Sequence, residues 1–505
     1  MAQLEITAHR GSVWIRPAAL TGFLKPSLQY WSCYTPMEII TYTDSNGISQ
    51  QKEVRTNKVR SVKVNLYREQ DGYLVLHEGL LNRVLRLCGE NRYEVNYSKL
   101  DPQFVQPALS PSVVRGLMPD QVECVIAMLS AVGSPENPGG SGALIENTMG
   151  AGKTYVIAAL CRAYRRRVVV TTKAKAVVKR LRDGLSELLA DDGISVGIYQ
   201  GARREDGDVI VCTDALLDRL DPDDVDVLIY DECHHAAGSK KSVNVMRLDK
   251  AVKFGLSATV KDRFDGKDAL LQALFGPIVY ELTDEQAEDL GRVVPLKVFA
   301  LQCGVGPKTT SWKSPVTKER HAIWKNINRN KLVQEAAELV PDDQQLLVFV
   351  ATKEHGEILQ SGFLRGYDFY HGNLPRAEQE DLLARFESGE LKRLIATDSI
   401  GEGVDPQNLM VVIDTNWKTS KVGVPQRAGR NRRHGADKAW GVLITFQDDF
   451  DDTARRKSNE RLQQYRKRGY QVTLIAHPNS IEFVSQRTTE HDGPNETEGS
   501  GEPPS

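Results

Sequence analysis

The period of hydrophobic and polar positions changes along the chain. Between about residues 106 and 297, short apolar runs ("ALIE", "RVVVTT", "DVIVC", "DVLIY", "VKFGLS") alternate with stretches that read as helices. Continuous apolar runs suit strands buried on both faces, and helical connections between them predict a parallel sheet wrapped by helices. The same alternation recurs from about 298 to 480, in "LLVFV", "RLIAT", "LMVVID" and "GVLITF". A second α/β domain in tandem is therefore expected. Residues 1–105 follow another pattern: β-branched and aromatic residues with turn signals "DSNG" and "EQDG", then a helix-like "EGLLNRVLRLCGE" and a strand-like "RYEVNY". These predict a small α+β module. Residues 481–505 end in "RTTEHDGPNETEGSGEPPS", without an aromatic or large aliphatic side chain after Val484, and an acidic tail of this kind is expected to stay disordered.

Composition narrows the class without deciding it. A chain of 505 residues, 40% hydrophobic and 26% charged, fits several globular domains. The net charge of −2 argues for no particular partner, but the charges are unevenly placed. Residues 51–68 carry six Lys or Arg against one acid, and 453–468 carry seven against one. Each stretch is either a solvated face or a phosphate-contacting surface. In the first, Lys52, Arg55, Lys58, Arg60 and Lys63 are the candidate contacts, the alternative being that the front module only shields a face of the next domain. Seven cysteines without a CxxC pair point to reduced thiols in a cytosolic setting. Cys233, His234 and His235 adjoin one another, yet no second cluster completes a zinc site. No signal-peptide pattern opens the sequence and no run is long and apolar enough for a membrane span, so a soluble, cytoplasmic chain without a membrane partner is expected.

The candidate chemistry begins at "LIENTMGAGKTYVIAAL", residues 144–160. Gly150 and Gly152 allow a tight turn whose N–H groups converge at the start of a helix, a place where anions collect. Lys153 would reach the β- and γ-phosphates of ATP, and the Thr154 hydroxyl would sit on Mg²⁺. Asn147 stands where glycine or alanine usually opens this pattern, and Met149 is also unusual. The apolar run "DVLIY" ends in "DECHH", where Asp231 can hold Mg²⁺ through water and Glu232 can orient or deprotonate an attacking water.

Three further segments follow in order: "GLSAT" at 255–259, "ATDSIGEGVD" at 396–405 and "QRAGRNRR" at 426–433. With the glycine loop and "DECHH", residues 110–470 resemble the superfamily 2 helicases and translocases. That resemblance implies two RecA-like domains with ATP in the cleft between them. It makes Lys153, Asp231 and Glu232 catalytic and Arg430 and Arg433 arginine fingers, and assigns the metal to Thr154 and Asp231. Gln121, within "LMPDQVECVIAML", would read the adenine edge; Gly150, Ala151, Gly152, Gly403, Asp405 and Gln426 would line the nucleotide. Ser257 and Thr259 would couple the ATP site to nucleic acid. Thr172, Gly201, Thr213 and Thr397 would touch the sugar-phosphate backbone, on a face away from the strand ends that bind ATP.

The stretch after "SAT", through "LFGPIVYELTDEQAEDLGRVVPLKV", is similar to UvsW-type, RecG-type and XPB-type enzymes, which act on duplex and branched DNA. The function this implies is an ATP-dependent helicase or translocase that remodels branched or forked DNA in repair, recombination or replication. Such a protein would be a monomer in a bacterial or phage-infected cell, with replication or recombination proteins as partners. An RNA helicase, an ATP-switched nucleic-acid clamp and the motor subunit of a larger defence complex are the alternatives.

Overall fold

A computed structural model of the chain describes all residues except 1–2, 10–11, 35–36, 44–48, 56–59, 100–104, 133–140, 174, 202, 262–266, 313, 401–405, 407–408, 418–428, 433–437 and 484–505. The acidic tail, Lys58, Gly403, Asp405, Gln426 and Arg433 thus lie outside the described residues, as do the side chains of Lys52, Arg55, Arg60 and Lys63.

The front module is built on a five-stranded sheet in the order Tyr67–Gln70, Tyr73–His77, Ser12–Arg16, Gln3–His9, Glu94–Lys99. Alternation decides which face is buried: Leu4, Ile6, Val13, Ile15, Leu74 and Leu76 point to one core, closed by the helix Leu81–Glu90. The hairpin of Tyr67–Gln70 and Tyr73–His77 turns on Asp71 and Gly72, at φ 51° and 79°, the left-handed pair that a two-residue turn between twisted strands requires. The basic stretch falls on the backbone of Ser49–Arg55, paired with Met37–Thr43, and of Arg60–Asn65, paired with Gln29–Tyr34.

Two sheets follow, parallel except for the antiparallel edge strand Arg203–Glu205 of the first, the architecture of tandem RecA-like domains. The first has eight strands in the order Arg203–Glu205, Val196–Gln200, Val209–Thr213, Val168–Thr172, Val227–Asp231, Val252–Ser257, Gly142–Asn147, Ile278–Leu282. Its central strands Val168–Thr172 and Val252–Ser257 are buried at every residue, which accounts for their unbroken apolar runs. The second has seven strands and contains Gln345–Val350, Arg393–Thr397, Leu409–Asp414 and Gly441–Asp448. It takes in Leu296–Cys303, so the sheet begins slightly before residue 298.

The basic stretch 453–468 forms the helix Asp452–Lys467, with Arg455, Arg456, Arg466 and Lys467 exposed and the other basic residues turned inward. Arg461 is fully buried and donates to the carbonyls of Asn416 and Phe446, while the Lys457 ammonium lies 4.0 Å from the Trp417 ring centroid.

The front module rests on the helix Asp268–Phe275 of the first RecA-like domain. Ala273 belongs to the module's core, Arg83 donates to Gln272 at 3.2 Å, and Leu66 packs into both cores. His77 hydrogen-bonds to the backbone of Ala273; burial, then the nearby charge of Lys253, lowers its pKa to about 3.

Candidate nucleotide site and domain junction

The glycine loop connects the strand Gly142–Asn147 to the helix Lys153–Tyr164. Gly150 and Gly152 have φ 88° and 78°, which turns successive backbone N–H groups towards the helix start. A side chain at Gly152 would collide with the amide of Gln121. Gln121 packs against the loop from the helix Pro119–Ser130: its Nε2 donates to the Ala151 carbonyl at 3.2 Å and its Oε1 accepts from Met118 N at 3.1 Å.

The two unusual residues of the loop both have places. Asn147 is buried, with its Nδ2 3.9 Å from Cys124 Sγ, so it faces the neighbouring helix. Met149 reaches across to the second domain, where a Cβ on Gly429 would sit 3.0 Å from its Sδ.

Lys153 and Glu232 meet, Nζ to Oε1, at 2.5 Å, with only 14% and 12% of their side chains exposed. Asp231 ends the strand Val227–Asp231, and its Oδ1 accepts from Glu232 N at 3.1 Å. Glu232 itself is left-handed, at φ 53°, a conformation that costs a non-glycine residue about 1 kcal/mol or more and that clusters at functional sites. Burial raises the pKa of its carboxyl, but the Lys153 charge and the contacts with His234 outweigh burial and hold it well below the ordinary carboxylate value.

His234 Nδ1 lies 2.9 Å from Ser257 Oγ and 3.3 Å from Glu232 Oε2. Ser257 Oγ is 3.4 Å from the same carboxylate and accepts from Thr259 N at 3.2 Å. Sequence reasoning weighed His234 only as a metal ligand. Here it joins Glu232 to the Ser-Ala-Thr segment, and among the described residues no His, Cys, Asp and Glu group of three or more has metal-binding geometry.

The strand-end threonines correct one expectation. Val168–Thr172 and Val209–Thr213 run parallel to the strands carrying Asn147, Asp231 and Ser257, and Thr172 pairs in register with Thr213. A parallel sheet has a single carboxyl edge, so these positions share the edge of the glycine loop and do not lie on a face away from it. The separation is sideways, with the strands of Asp231 and Ser257 standing between Thr172 and the loop strand. Thr172 is 1% exposed and its hydroxyl has no partner among the described residues. Gly201 follows the strand Val196–Gln200 with φ 63°, and Thr397 ends Arg393–Thr397 with its hydroxyl 2.6 Å from that of Ser399.

From the second domain, the turn Gly429–Asn431 brings Arg430 to the junction. Gly429 abuts Met149 of the loop, while the Arg430 guanidinium lies 5.7 Å from the Phe349 ring centroid.

Nothing in the residue pattern marks a further contact at the junction. Asp284, in the helix Asp284–Asp289 that follows the first sheet, accepts from the hydroxyl of Thr148 in the loop and from Arg432. Its other oxygen accepts from Arg468 Nη1 at 3.0 Å.

Comparison with known proteins bears on the two domains that meet here. The family model described as "Type III restriction enzyme, res subunit" matches residues 116–262, and "Helicase conserved C-terminal domain" matches 328–435. RNA helicase CrhR of Synechocystis sp. is 26% identical over 36% of this chain and 35% of its own length. Putative DNA 3'-5' helicase Rad25 of Haloarcula marismortui is 25% identical over 63% of this chain and 52% of its own. The chain thus spans about half or less of the length of these two relatives. Among solved structures, a single-residue variant of S. cerevisiae Dbp5 bound to RNA and ADP BeF3 superposes with a TM-score of 0.53 at 16% identity, covering 73% of this chain and 94% of that one, a likeness of fold. With two RecA-like domains and both family models matched in order, the chain belongs to the superfamily 2 helicases and translocases.

Proposed function

We propose that the chain is an ATP-driven motor on duplex DNA that remodels forked or branched junctions. The observation that carries the ATP part is the buried Lys153–Glu232 pair at the mouth of a left-handed glycine turn, with Gly429 of the second domain against the same loop. The donor set fits a magnesium–triphosphate: the Lys153 ammonium and the Thr154 hydroxyl open one helix, and the carboxylates of Asp231 and Glu232 stand at the end of the strand Val227–Asp231.

Lys153 and the loop N–H groups hold the phosphates, with Gly150, Ala151, Gly152 and Gln121 shaping their seat. Thr154 and Asp231 hold Mg²⁺, which when bound offsets charge on the transferring phosphoryl. Glu232 orients the attacking water and takes its proton, and Ser257 with His234 keeps that carboxylate aimed. Arg430 and Arg433, with Gly403, Asp405 and Gln426, complete the nucleotide seat from the second domain. Thr172, Gly201, Thr213 and Thr397 stand where the nucleic-acid backbone is held, Gly201 exposed to it and the three buried threonines supporting that surface, so a strand held there pushes on the elements that carry Asp231 and Ser257.

DNA is favoured over RNA by the segment joining the two domains, whose sequence resembles enzymes of duplex and branched DNA. The RNA reading draws support from CrhR and from Dbp5. The deciding experiment compares steady-state ATP hydrolysis with duplex DNA, a four-way junction and RNA at low salt. Stimulation by junction and duplex above RNA is expected, and Glu232→Gln should lose about 10²–10⁴-fold in turnover while still binding nucleotide. Greater stimulation by RNA would overturn the DNA reading, and normal turnover in Glu232→Gln would overturn the site.

A further inference from the structure

The linker between the two RecA-like domains is fastened to the first. Thr148 N donates to Leu282 O at 3.2 Å, Ala151 of the loop packs with Leu282, Ala287 and Val293, and Arg292 pairs with Asp120 of the helix Pro119–Ser130. Asp284 therefore moves with the glycine loop. Its cationic partners do not, because both come from the second domain.

Arg432 is fully buried and reaches Asp284 Oδ1, the Asp284 carbonyl at 3.2 Å and Glu288 Oε1 at 2.6 Å. The linker pins its backbone in return, Val294 N donating to Arg432 O at 2.7 Å. Arg468, at the end of the helix Asp452–Lys467, donates to Asp284 Oδ2 at 3.0 Å and to the carbonyl of Ala258, inside the Ser-Ala-Thr segment, at 3.4 Å. One carboxylate, 5% exposed, thus joins the loop (Thr148), the linker and two arginines of the other domain. A buried carboxylate that loses two cations becomes costly, so withdrawal of the second domain must alter the Asp284–Thr148 contact or rehydrate it.

We propose that Asp284 is a positioning residue through which the seating of the second domain, read by Arg432 and Arg468, sets the glycine loop by way of Thr148. The proposal rests on the ATP-driven reading above. It makes nucleic-acid stimulation depend on a contact that touches neither nucleotide nor nucleic acid.

The test uses the full chain and the variants Asp284→Asn, Arg468→Gln and both together. It reads the ratio of duplex-stimulated to unstimulated ATPase, closure between fluorophores on the two domains with a non-hydrolysable ATP analogue, and thermal melting. The ratio should fall about tenfold in each single variant, closure should weaken in parallel, and the double variant should be no worse than either single one. A ratio within twofold of the natural protein's in either single variant, or losses that multiply in the double, overturns the proposal. If Asp284→Asn no longer melts cooperatively, the partly exposed Arg468→Gln decides alone. If the natural chain shows no stimulation by DNA, the motor reading fails by itself. Closure then decides: unchanged closure in Arg468→Gln overturns the coupling and weakened closure upholds it.

Discussion

Removing the Lys153 side chain should do more than disarm the glycine loop. Lys153 and Glu232 are 14% and 12% exposed and 2.5 Å apart, so Lys153→Ala leaves a buried carboxylate without its main counter-charge. Breaking a buried pair from one side typically costs about 3–5 kcal/mol. His234 at 3.3 Å and Ser257 at 3.4 Å stay in place and offset part of that, which favours the lower end, about 3 kcal/mol. For a domain of this size that is a fall of roughly 6–12 °C in melting temperature.

The pH dependence gives a second signature. In the natural chain the folded Glu232 pKa lies below its unfolded value, so the pair's contribution is present above about pH 4.3 and is lost as pH falls through the folded pKa. Without Lys153 burial prevails, the folded pKa rises above the unfolded one, and stability from this group declines as pH rises from about 4 to 7. The assay is thermal melting of Lys153→Ala, Glu232→Gln and the double variant at pH 5 and 7. The double variant should regain most of the lost stability while remaining inactive, because a neutral amide needs no counter-ion. Melting of Lys153→Ala within about 1 °C of the natural chain, with no gain in the double, would show that the pair is not buried as described.

His77 offers a separate pH test: with a folded pKa of about 3 against 6.5 unfolded, docking of the front module loses stability as pH falls from 6.5 towards 3, about 2 kcal/mol between pH 7 and 5. The slope of melting against pH should flatten in His77→Gln by that amount, and an unchanged slope would refute the burial of His77 on Ala273. Changing Lys52, Arg55, Lys58, Arg60 and Lys63 together to serine should weaken DNA binding across all sequences and reduce junction processing several-fold, with DNA-stimulated ATPase retained. Equal junction processing would leave the front module as a shield for the helix Asp268–Phe275. At the junction, Gly429→Val should depress ATPase by pushing Met149 out of place, and Met149→Ala in the same chain should restore part of it; failure of that size exchange would mean that Met149 and Gly429 do not meet during turnover.

What the sequence made legible follows from how local each signal is. Val168–Thr172 and Val252–Ser257 are strands because every position is buried, so the apolar run is itself the structural fact. Gly150 and Gly152 could be recognised because left-handed backbone limits the residue type, and Asp71-Gly72 for the same reason. Contacts between remote segments leave no such mark. In "LTDEQAEDL", Asp284 reads as a first-turn acid after the capping Thr283, which it also is, and nothing nearby tells of Thr148, Arg432 or Arg468. Arg432 stands in "QRAGRNRR" between two arginines assigned to phosphate, and charge alone could not tell a buried clamp from a finger.

The helix Asp452–Lys467 misleads in the same way, because its basic count hides a fully buried Arg461 whose partners are backbone carbonyls. The misplaced threonines have a different origin: their residue types suited backbone contact, but only the strand directions show that Thr172, Thr213, Asp231 and Ser257 end at one edge. That shared edge matters for mechanism. Under the proposed reading, a nucleic acid held at Thr172 would lie two strands from Ser257, which touches Glu232, so load and carboxylate would be joined through adjacent strands of one sheet. The second domain reaches the loop by its own contacts, Gly429 against Met149 directly and Arg432 with Arg468 through Asp284 to Thr148.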